Sequence, residues 1–300
     1  MSDKYLKLIK NRLVKLNRED PFNNDPNNAM VAIDKMVSEY ERHLEHGLKT
    51  VADINKFISA MYEPAAKPQI TSRRTLADEG FGRNVKWDII TISPNKNDCL
   101  IHSVLTLISE PFQKLKLKDK NEFADFFRRS IFLNLPVARC YQRVEEPEVY
   151  QAFVDRVNTE SFLQENELFL LASQFKFRVL TAADRETTGK QFNLIDGNTL
   201  QVVLPIECCE WETNAGWPLH CIYNQMSHYE AVRGPSGFNI SEEDAAIAMS
   251  GLNNSTSHKS CKKCTYNNPR NSKVCEICRA KLRGGTRKHR RSHLNKTRHK

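Results

Sequence analysis

The 300-residue chain lacks an apolar run long enough to cross a membrane as a helix, for which about 20 residues are needed. Its first residues lead into a charged amphipathic stretch, which differs from the apolar core of a secretory signal. It also lacks an internal repeat, and its nine cysteines are an odd number. These absences argue against a membrane partner, a repeat protein and a disulfide framework. We therefore expect a protein of a reducing intracellular compartment, the cytoplasm or the nucleus.

The main body of the chain has almost no excess of either charge. The formal net charge is +9, but residues 283–300 contain eight of the 45 lysines and arginines and no acid. Without them, 37 basic residues face 36 acidic residues. The basic character therefore belongs to a C-terminal tail that is predicted to be disordered. The high isoelectric point says little about the partner of the main body, whose charges nearly balance.

The order of the predicted elements indicates an α+β fold, because helices come first and strands late, without a regular βαβ alternation. Helical periodicity is found at 1–62, from Cys99 to Glu110, and at about 120–133, 147–158 and 162–175. Strands are predicted at 87–92, 177–181, 200–204, 220–224 and 229–232. The predicted organisation is a helical N-terminal extension and linker at 1–84, a catalytic domain at 85–235, a linker with a short helix at 236–258, a zinc finger at 259–282 and the tail at 283–300.

Cys99 is a candidate nucleophile, because a predicted strand, a polar loop and an apolar helix place it at a helix N-terminus. Unpaired backbone N–H groups and the positive end of the helix dipole lie there. Both favour the thiolate form of a cysteine, and the N–H groups can also stabilise an oxyanion. The alternative interpretation is an inert core cysteine at the start of a buried helix.

His228 is the candidate base, in a polar turn immediately before a predicted strand. An imidazole so placed could take the proton of the Cys99 thiol and later donate it to a leaving amine. Glu230 lies on the same strand face, since side chains alternate along a strand, and could orient the imidazole as the third member of a triad. The alternative for Glu230 is an exposed strand acid.

Three sequence blocks surround these residues: NDCLIHS at 97–103, NELFLLA at 166–172 followed by FRVL at 177–180, and HYEAV at 228–232. Together they resemble the cysteine box, the helix with its central strand, and the histidine box of the ovarian-tumour (OTU) family of deubiquitinating cysteine proteases. The resemblance covers roughly 85–233. It implies a papain-like fold and cleavage after the C-terminal glycine of ubiquitin by Cys99, His228 and Glu230, with no cofactor in the catalytic step.

The chain departs from the family pattern at the loop before the cysteine and at the acid. The family usually has Asp-Gly where this chain has Lys96-Asn97. The resemblance implies that Lys96, Asn97 and Asp98 shape the oxyanion hole, and Asn97 tolerates the left-handed conformation that a glycine would adopt. Glu230 stands where the family more often has Asp or Asn. His102 is interpreted as a helix-face residue and not as a second base.

Two Cys-x-x-Cys pairs, separated by ten residues, predict a zinc finger whose ligands are Cys261, Cys264, Cys275 and Cys278. Four thiolates at this spacing suit tetrahedral Zn²⁺. So short a segment cannot stabilise itself by apolar burial, and we expect its fold to need the metal. The alternative is four unligated cysteines.

The finger resembles the Ran-binding-protein/NZF class, in whose ubiquitin-binding members three positions contact ubiquitin. The matching residues here are Thr265, Tyr266 and Ile277, whereas Lys259 stands where the class usually has tryptophan. Related fingers bind single-stranded RNA by aromatic stacking among arginines, and Tyr266 with the basic tail could serve that role.

Three hypotheses follow for the whole chain. The first is a deubiquitinating thiol isopeptidase that acts on ubiquitin, polyubiquitin or a ubiquitin-like modifier, with the finger as a second ubiquitin site. The second is a catalytically inactive OTU fold that binds ubiquitin, and the third is an RNA-binding protein that uses the finger and tail. The tail could be a nuclear signal, a nucleic-acid patch or a solubilising segment. Its composition resembles C-terminal tails of large DNA virus proteins.

Overall fold

The computed structural model of the protein describes residues 47–62, 73–92, 97–185, 189–196, 216–226 and 228–255, short stretches at 259–260 and 267–268, and positions 7, 11, 37, 38, 41 and 42. The chain divides into two compact units, Met1–Leu252 and Asn253–Lys300. Because of these bounds, the predicted strand at 200–204 and most of the N-terminal part of the helical region predicted at 1–62 lie outside the described residues.

The described helices and strands form a mixed α+β arrangement, as predicted. The helices are α1 Val51–Met61, α2 Cys99–Ile108, α3 Glu110–Lys114, α4 Leu117–Phe126, α5 Pro136–Val144, α6 Pro147–Asn158, α7 Glu165–Phe175 and α8 Glu242–Ser255. A π-helical turn, Phe127–Ile131, and a 3₁₀ turn, Phe132–Asn134, follow α4 directly. The strands of the first unit are β1 Arg74–Thr75, β2 Asp88–Ile90, β3 Arg178–Arg185, β4 Gly189–Ile195, β5 Leu219–Gln225 and β6 His228–Arg233.

The six strands form one sheet in the order β1-β2-β6-β5-β3-β4. The pair β3–β5 is parallel, and the other neighbours are antiparallel. The predicted closing hairpin is confirmed as β5–β6, with Gln225 opposite His228. In the second unit, β7 Lys259–Ser260 pairs antiparallel with β8 Asn267–Asn268.

Two apolar clusters form the core of the first unit, and neighbouring side chains of β6 divide between them. Tyr229 and Ala231 belong to the larger cluster, which contains the residues of α1, α2 and α7, while Val232 belongs to the smaller one. This division follows from the alternation of side chains along a strand. Helix α2 is buried from Cys99 to Leu107, as expected for a helix that is apolar on every side.

Helix α1 packs into the larger cluster, as its periodic apolar residues predict. It begins with a capping box, in which the Asp53 N–H donates to the Thr50 hydroxyl and the Thr50 N–H donates to the Asp53 carboxylate. The Phe57 ring stacks on Phe126 with ring centroids 5.7 Å apart. The N-terminal helix therefore shares its core with the predicted catalytic domain.

Two segments that were predicted as linkers pack into the first unit. Leu76 and Phe81 are fully buried, and β1 extends the sheet beside β2, although 63–84 was expected to be an irregular arm. Helix α8 was predicted within a linker, but Ala245 and Ala248 are buried in the smaller cluster. A two-residue strand is too short to show alternation in the sequence, and a helix that packs through alanines shows little apolar periodicity. Both segments were therefore predicted as linkers.

The structure bears on two further expectations about the chain. Among the described residues, no helix has the length and hydropathy needed to span a membrane. Cys99 and Cys221 are in no disulfide, as expected, but Cys140 in α5 is disulfide-bonded. The sequence argued against a disulfide framework and did not predict this single bond.

Phe57→Ala should destabilise the first unit by about 3–5 kcal/mol, because it removes a buried ring that joins α1 to α4 and leaves a cavity. Urea unfolding followed by circular dichroism measures the change. Val149→Ala, on the exposed side of α6, is the control and should change the free energy of unfolding by less than about 0.5 kcal/mol. Equal losses in the two variants would show that α1 does not contribute to the core.

Candidate active site

Cys99 is the first residue of α2 and is 1% exposed. The backbone carbonyl of Asp98 accepts the first helical hydrogen bond, from the His102 N–H at 2.9 Å. The Asp98 side chain makes no capping hydrogen bond. The N–H groups of the first turn are therefore not occupied by the side chain that precedes them, and the thiol lies at the positive end of the helix dipole.

His228 lies at the start of β6 and forms a hydrogen bond with the side chain of Cys99. The predicted nucleophile and base are thus brought together. The pKa of His228 is raised to about 9, first by this hydrogen bond and then by the Glu230 carboxylate, while partial burial opposes the rise. An imidazolium beside the sulfur stabilises the thiolate, which is the nucleophilic form of a cysteine.

Glu230 is buried on the same strand, so the alternative of an exposed acid is wrong. Its Oε1 lies 3.8 Å from Nε2 of His228, which is an ion-pair distance and longer than a direct hydrogen bond. Because Nε2 faces this carboxylate, Nδ1 remains for the thiol. Glu230 is therefore placed to orient the imidazole and to stabilise its positive charge.

Arg74 of β1 holds the other side of the Glu230 carboxylate. Its Nη1 donates to Oε1 at 3.3 Å, and its Nη2 lies 3.0 Å from Oε2 in an ion pair that is not aligned as a hydrogen bond. The same guanidinium donates through Nε to Glu79 at 2.7 Å and lies 5.4 Å from the ring centroid of Tyr223. Sequence reasoning missed Arg74, since it falls in a segment predicted as linker.

The loop before Cys99 has the backbone that the sequence allowed. Asn97 has a φ of +55°, the left-handed conformation that asparagine tolerates. Its side-chain N–H donates to the backbone carbonyl of Glu160 at 2.7 Å. Asp98 is buried, and Lys96 lies outside the described residues. The loop is therefore tied to the segment that follows α6.

Arg128 lies beneath this loop and was not singled out from the sequence. It is 1% exposed and lies on the π-helical turn that follows α4. Its guanidinium pairs with the Asp98 carboxylate at 2.8 Å and donates to the Asn97 carbonyl at 3.2 Å. Burial raises the pKa of the Asp98 carboxyl group, and the Arg128 charge opposes that rise.

His102 is one helical turn beyond Cys99, but its environment excludes the role of a base. It is buried rather than on an exposed helix face, and its ring lies edge-on to Phe112 at 5.1 Å. Burial, with a smaller effect from Lys120, lowers its pKa to about 3. It is therefore a neutral core residue at physiological pH.

A groove of about 500 Å³ lies at the opposite end of α2, beside Ile108, Phe175 and Phe238. Cys99 and His228 do not line it. The candidate chemistry is therefore located at the N-terminal end of α2.

The zinc-finger predictions lie outside the described residues. These are the ligands Cys261, Cys264, Cys275 and Cys278 and the ubiquitin-contacting residues Thr265, Tyr266 and Ile277. Within the part of the chain that the structure describes, no group of three or more His, Cys, Asp or Glu side chains could hold a metal ion. The finger and the basic tail remain predictions from the sequence.

Comparison with known proteins gives no family assignment. No protein-family model matches the chain, and no curated protein matches it. The functional argument therefore depends on the geometry of the site and on the three sequence blocks.

The stability that His228 contributes should decrease at alkaline pH. Its pKa in the folded protein, about 9, lies above the ordinary value of 6.5, so this contribution is complete below pH 6.5 and is lost as the pH rises through 9. The free energy of unfolding of the wild type minus that of His228→Asn, measured in urea between pH 6 and 10, should decrease over this range.

Glu230→Gln tests the cause of that pH dependence. It removes the negative charge beside Nε2, so the same loss should begin at a lower pH. Glu148→Gln, on the exposed start of α6, is the control and should leave the profile unchanged. A stability difference that stays constant from pH 6 to 10 would contradict the raised pKa of His228.

Proposed function

We propose that this protein is a deubiquitinating cysteine protease with an OTU-type, papain-like catalytic domain. The observation that carries the proposal is the hydrogen bond between Cys99, at a helix N-terminus, and His228, whose Nε2 faces the buried Glu230. This is the arrangement of nucleophile, base and orienting acid that acyl transfer requires. The OTU-like sequence blocks are the reason for proposing ubiquitin as the substrate.

The reaction is hydrolysis of the isopeptide bond after the C-terminal glycine of ubiquitin. The Cys99 thiolate attacks the carbonyl carbon, and His228 donates its proton to the departing lysine amine as the C–N bond breaks. A water molecule then gives a proton to His228 and attacks the thioester, which releases the C-terminal carboxyl group of ubiquitin, ionised by loss of its proton to solvent, and restores the Cys99 thiolate beside the protonated His228. Glu230 orients the imidazole throughout.

The N-terminus of α2 supports this reaction through its charge. The developing oxyanion needs N–H donors that are already in place, and those of the Cys99 loop and the first turn of α2 are suitably located. Asn97 fixes the loop by its left-handed backbone and its bond to Glu160. The site therefore needs no metal for the chemical step.

Two exposed apolar side chains, close in sequence to elements of the candidate site, suit a protein substrate. Met226, in the turn before His228, is 65% exposed, and Phe162 is 46% exposed. The segment that contains Phe162 is tied to the cysteine loop through the bond between Asn97 and Glu160. A contiguous apolar surface formed by these two side chains would mark a protein interaction site.

The inactive ubiquitin-binding alternative is less well supported, since cysteine, histidine and acid form a connected set. The finger would add a second ubiquitin site in a chain, with Zn²⁺ held by its four cysteines as a structural ion. The tail would add a nuclear signal or a nucleic-acid contact. The partners of the finger and tail, the intracellular location and the viral origin are inferred from sequence alone.

Reaction with ubiquitin bearing a C-terminal electrophile tests the proposed function. The wild type should form a covalent adduct, detected by mass spectrometry, and Cys99→Ala should form none because it lacks the sulfur. His228→Ala should react at least about 100-fold more slowly, because it loses its base and the partner of the thiolate.

Cys221→Ala is the matched control, because Cys221 is a free, buried thiol whose pKa is strongly raised by burial. It should react like the wild type. Absence of an adduct with the wild type, together with retained ubiquitin binding, would replace this proposal with the inactive ubiquitin-binding protein.

Met226→Asp should lower kcat/KM for a ubiquitin C-terminal fluorogenic amide by about tenfold or more, if this side chain contacts the substrate. Phe162→Asp should act in the same direction. Ile247→Asp, on α8 and 48% exposed, places the same charge on another exposed apolar residue and should leave kcat/KM within about twofold. Equal effects at all three positions would argue against a substrate surface at Met226 and Phe162.

A further inference from the structure

Arg128 is unusual because its charged side chain is almost completely buried on a π-helical turn. It is 1% exposed and belongs to the π-helical turn Phe127–Ile131. Arginine is rarely buried unless its charge is paired, and π-helical turns inside helical segments are frequent at functional sites. The turn therefore directs a cation into the interior beneath the cysteine loop.

The guanidinium of Arg128 binds two parts of the chain. Toward the nucleophile it pairs with the Asp98 carboxylate at 2.8 Å and donates to the Asn97 carbonyl at 3.2 Å. On the other side it donates to backbone carbonyls around the end of α6, which are those of Val157 at 3.1 Å, Arg156 at 2.5 Å and Ser161 at 2.5 Å. A single side chain thus joins the cysteine loop to the segment that follows α6.

Asp98 shows what this pairing changes. An aspartate in the N-cap position ordinarily accepts a hydrogen bond from the second or third N–H of its helix. Asp98 occupies the N-cap of α2 but makes no such bond, because its carboxylate is directed to Arg128. A carboxylate on the first turn of α2 would use the same positive helix end that a thiolate and an oxyanion require.

We propose that Arg128 is a positioning residue that draws the Asp98 carboxylate away from the N-terminus of α2, which leaves this end free for the Cys99 thiolate and the oxyanion. The proposal rests on the proposed proteolytic function. It differs from a purely structural role, in which Arg128 acts as a brace between the loop and α6. The two roles predict different responses when Asp98 is removed as well.

The test compares Arg128→Leu in two backgrounds, with kcat and KM measured on a ubiquitin C-terminal fluorogenic amide. In the wild-type background, kcat should fall about 100-fold with KM within about threefold, as for loss of oxyanion stabilisation. In the Asp98→Ala background, which has no carboxylate to misplace, the same substitution should change kcat by less than about threefold. An equal loss in both backgrounds would overturn the proposal in favour of a brace.

Further variants separate an effect on kcat from a loss of folding stability. Arg128→Leu leaves Asp98 buried and unpaired and could fail to fold, whereas the double variant removes both charges. If the single variant does not fold, the comparison is between Asp98→Ala and the double variant. The proposal requires that the kcat values of these two proteins lie within about threefold of each other, and a larger loss in the double variant would overturn it. Arg156→Leu, which breaks the partly buried ion pair with Glu167 at 2.8 Å, controls for stability loss and should retain kcat.

An NMR measurement tests Arg128 without any substrate. In Arg128→Leu the freed carboxylate should cap α2, which shifts the amide signals of Leu100 and Ile101 and slows their hydrogen exchange relative to the double variant. Unchanged signals and exchange would overturn the inference. If the wild type does not cleave ubiquitin while these amides respond as expected, the proposed function fails and the effect of Arg128 on the helix end stands.

Discussion

The burial of α2 against β6 is the constraint on which the rest of the site depends. From Cys99 to Leu107 the helix has no exposed face, and Cys99 belongs to the same apolar cluster as Tyr229 and Ala231 of β6. Because a closely packed core allows little sliding, the helix start and the strand start are fixed relative to each other. The hydrogen bond between Cys99 and His228 is therefore a consequence of packing, and the geometry of the candidate site is maintained by the core.

Two ion pairs, one buried and one half-buried, lie on either side of this contact in sequence and adjust its electrostatics. Arg128 neutralises Asp98 beside the thiol, and Arg74 shares Glu230 with the histidine. Buried ion pairs contribute little net stability compared with apolar residues of similar size, since both charges lose their hydration. The two pairs beside the candidate site are more readily explained by control of the local charge than by a contribution to folding stability. Both link the site to segments distant in sequence, the arm before β2 and the turn after α4.

Sequence periodicity predicted the elements that are long or strongly patterned. It could not predict contacts between side chains that are distant in sequence. The helices at α1, α2, α6 and α7 and the β5–β6 hairpin follow from spacing, whereas the roles suggested for Cys99 and His228 also depend on the predicted helix N-terminus and on the resemblance to the OTU family. Arg74 and Arg128 could not be found in this way, because each acts on a residue at least 30 positions away, 30 for Arg128 and Asp98 and 156 for Arg74 and Glu230. The left-handed Asn97 was predictable, since its residue type permits that backbone.

The central claim is that the His228 imidazole is hydrogen-bonded to the Cys99 side chain and has a raised pKa for that reason, and an NMR titration of this imidazole tests it most directly. Ring nitrogen shifts followed from pH 5 to 10 in the wild type should give a pKa near 9. In Cys99→Ala the pKa should fall, because its largest cause is removed, and Cys221→Ala should match the wild type. A His228 that titrates near 6.5 in all three proteins would contradict the account, since it would show an imidazole that does not sense the sulfur.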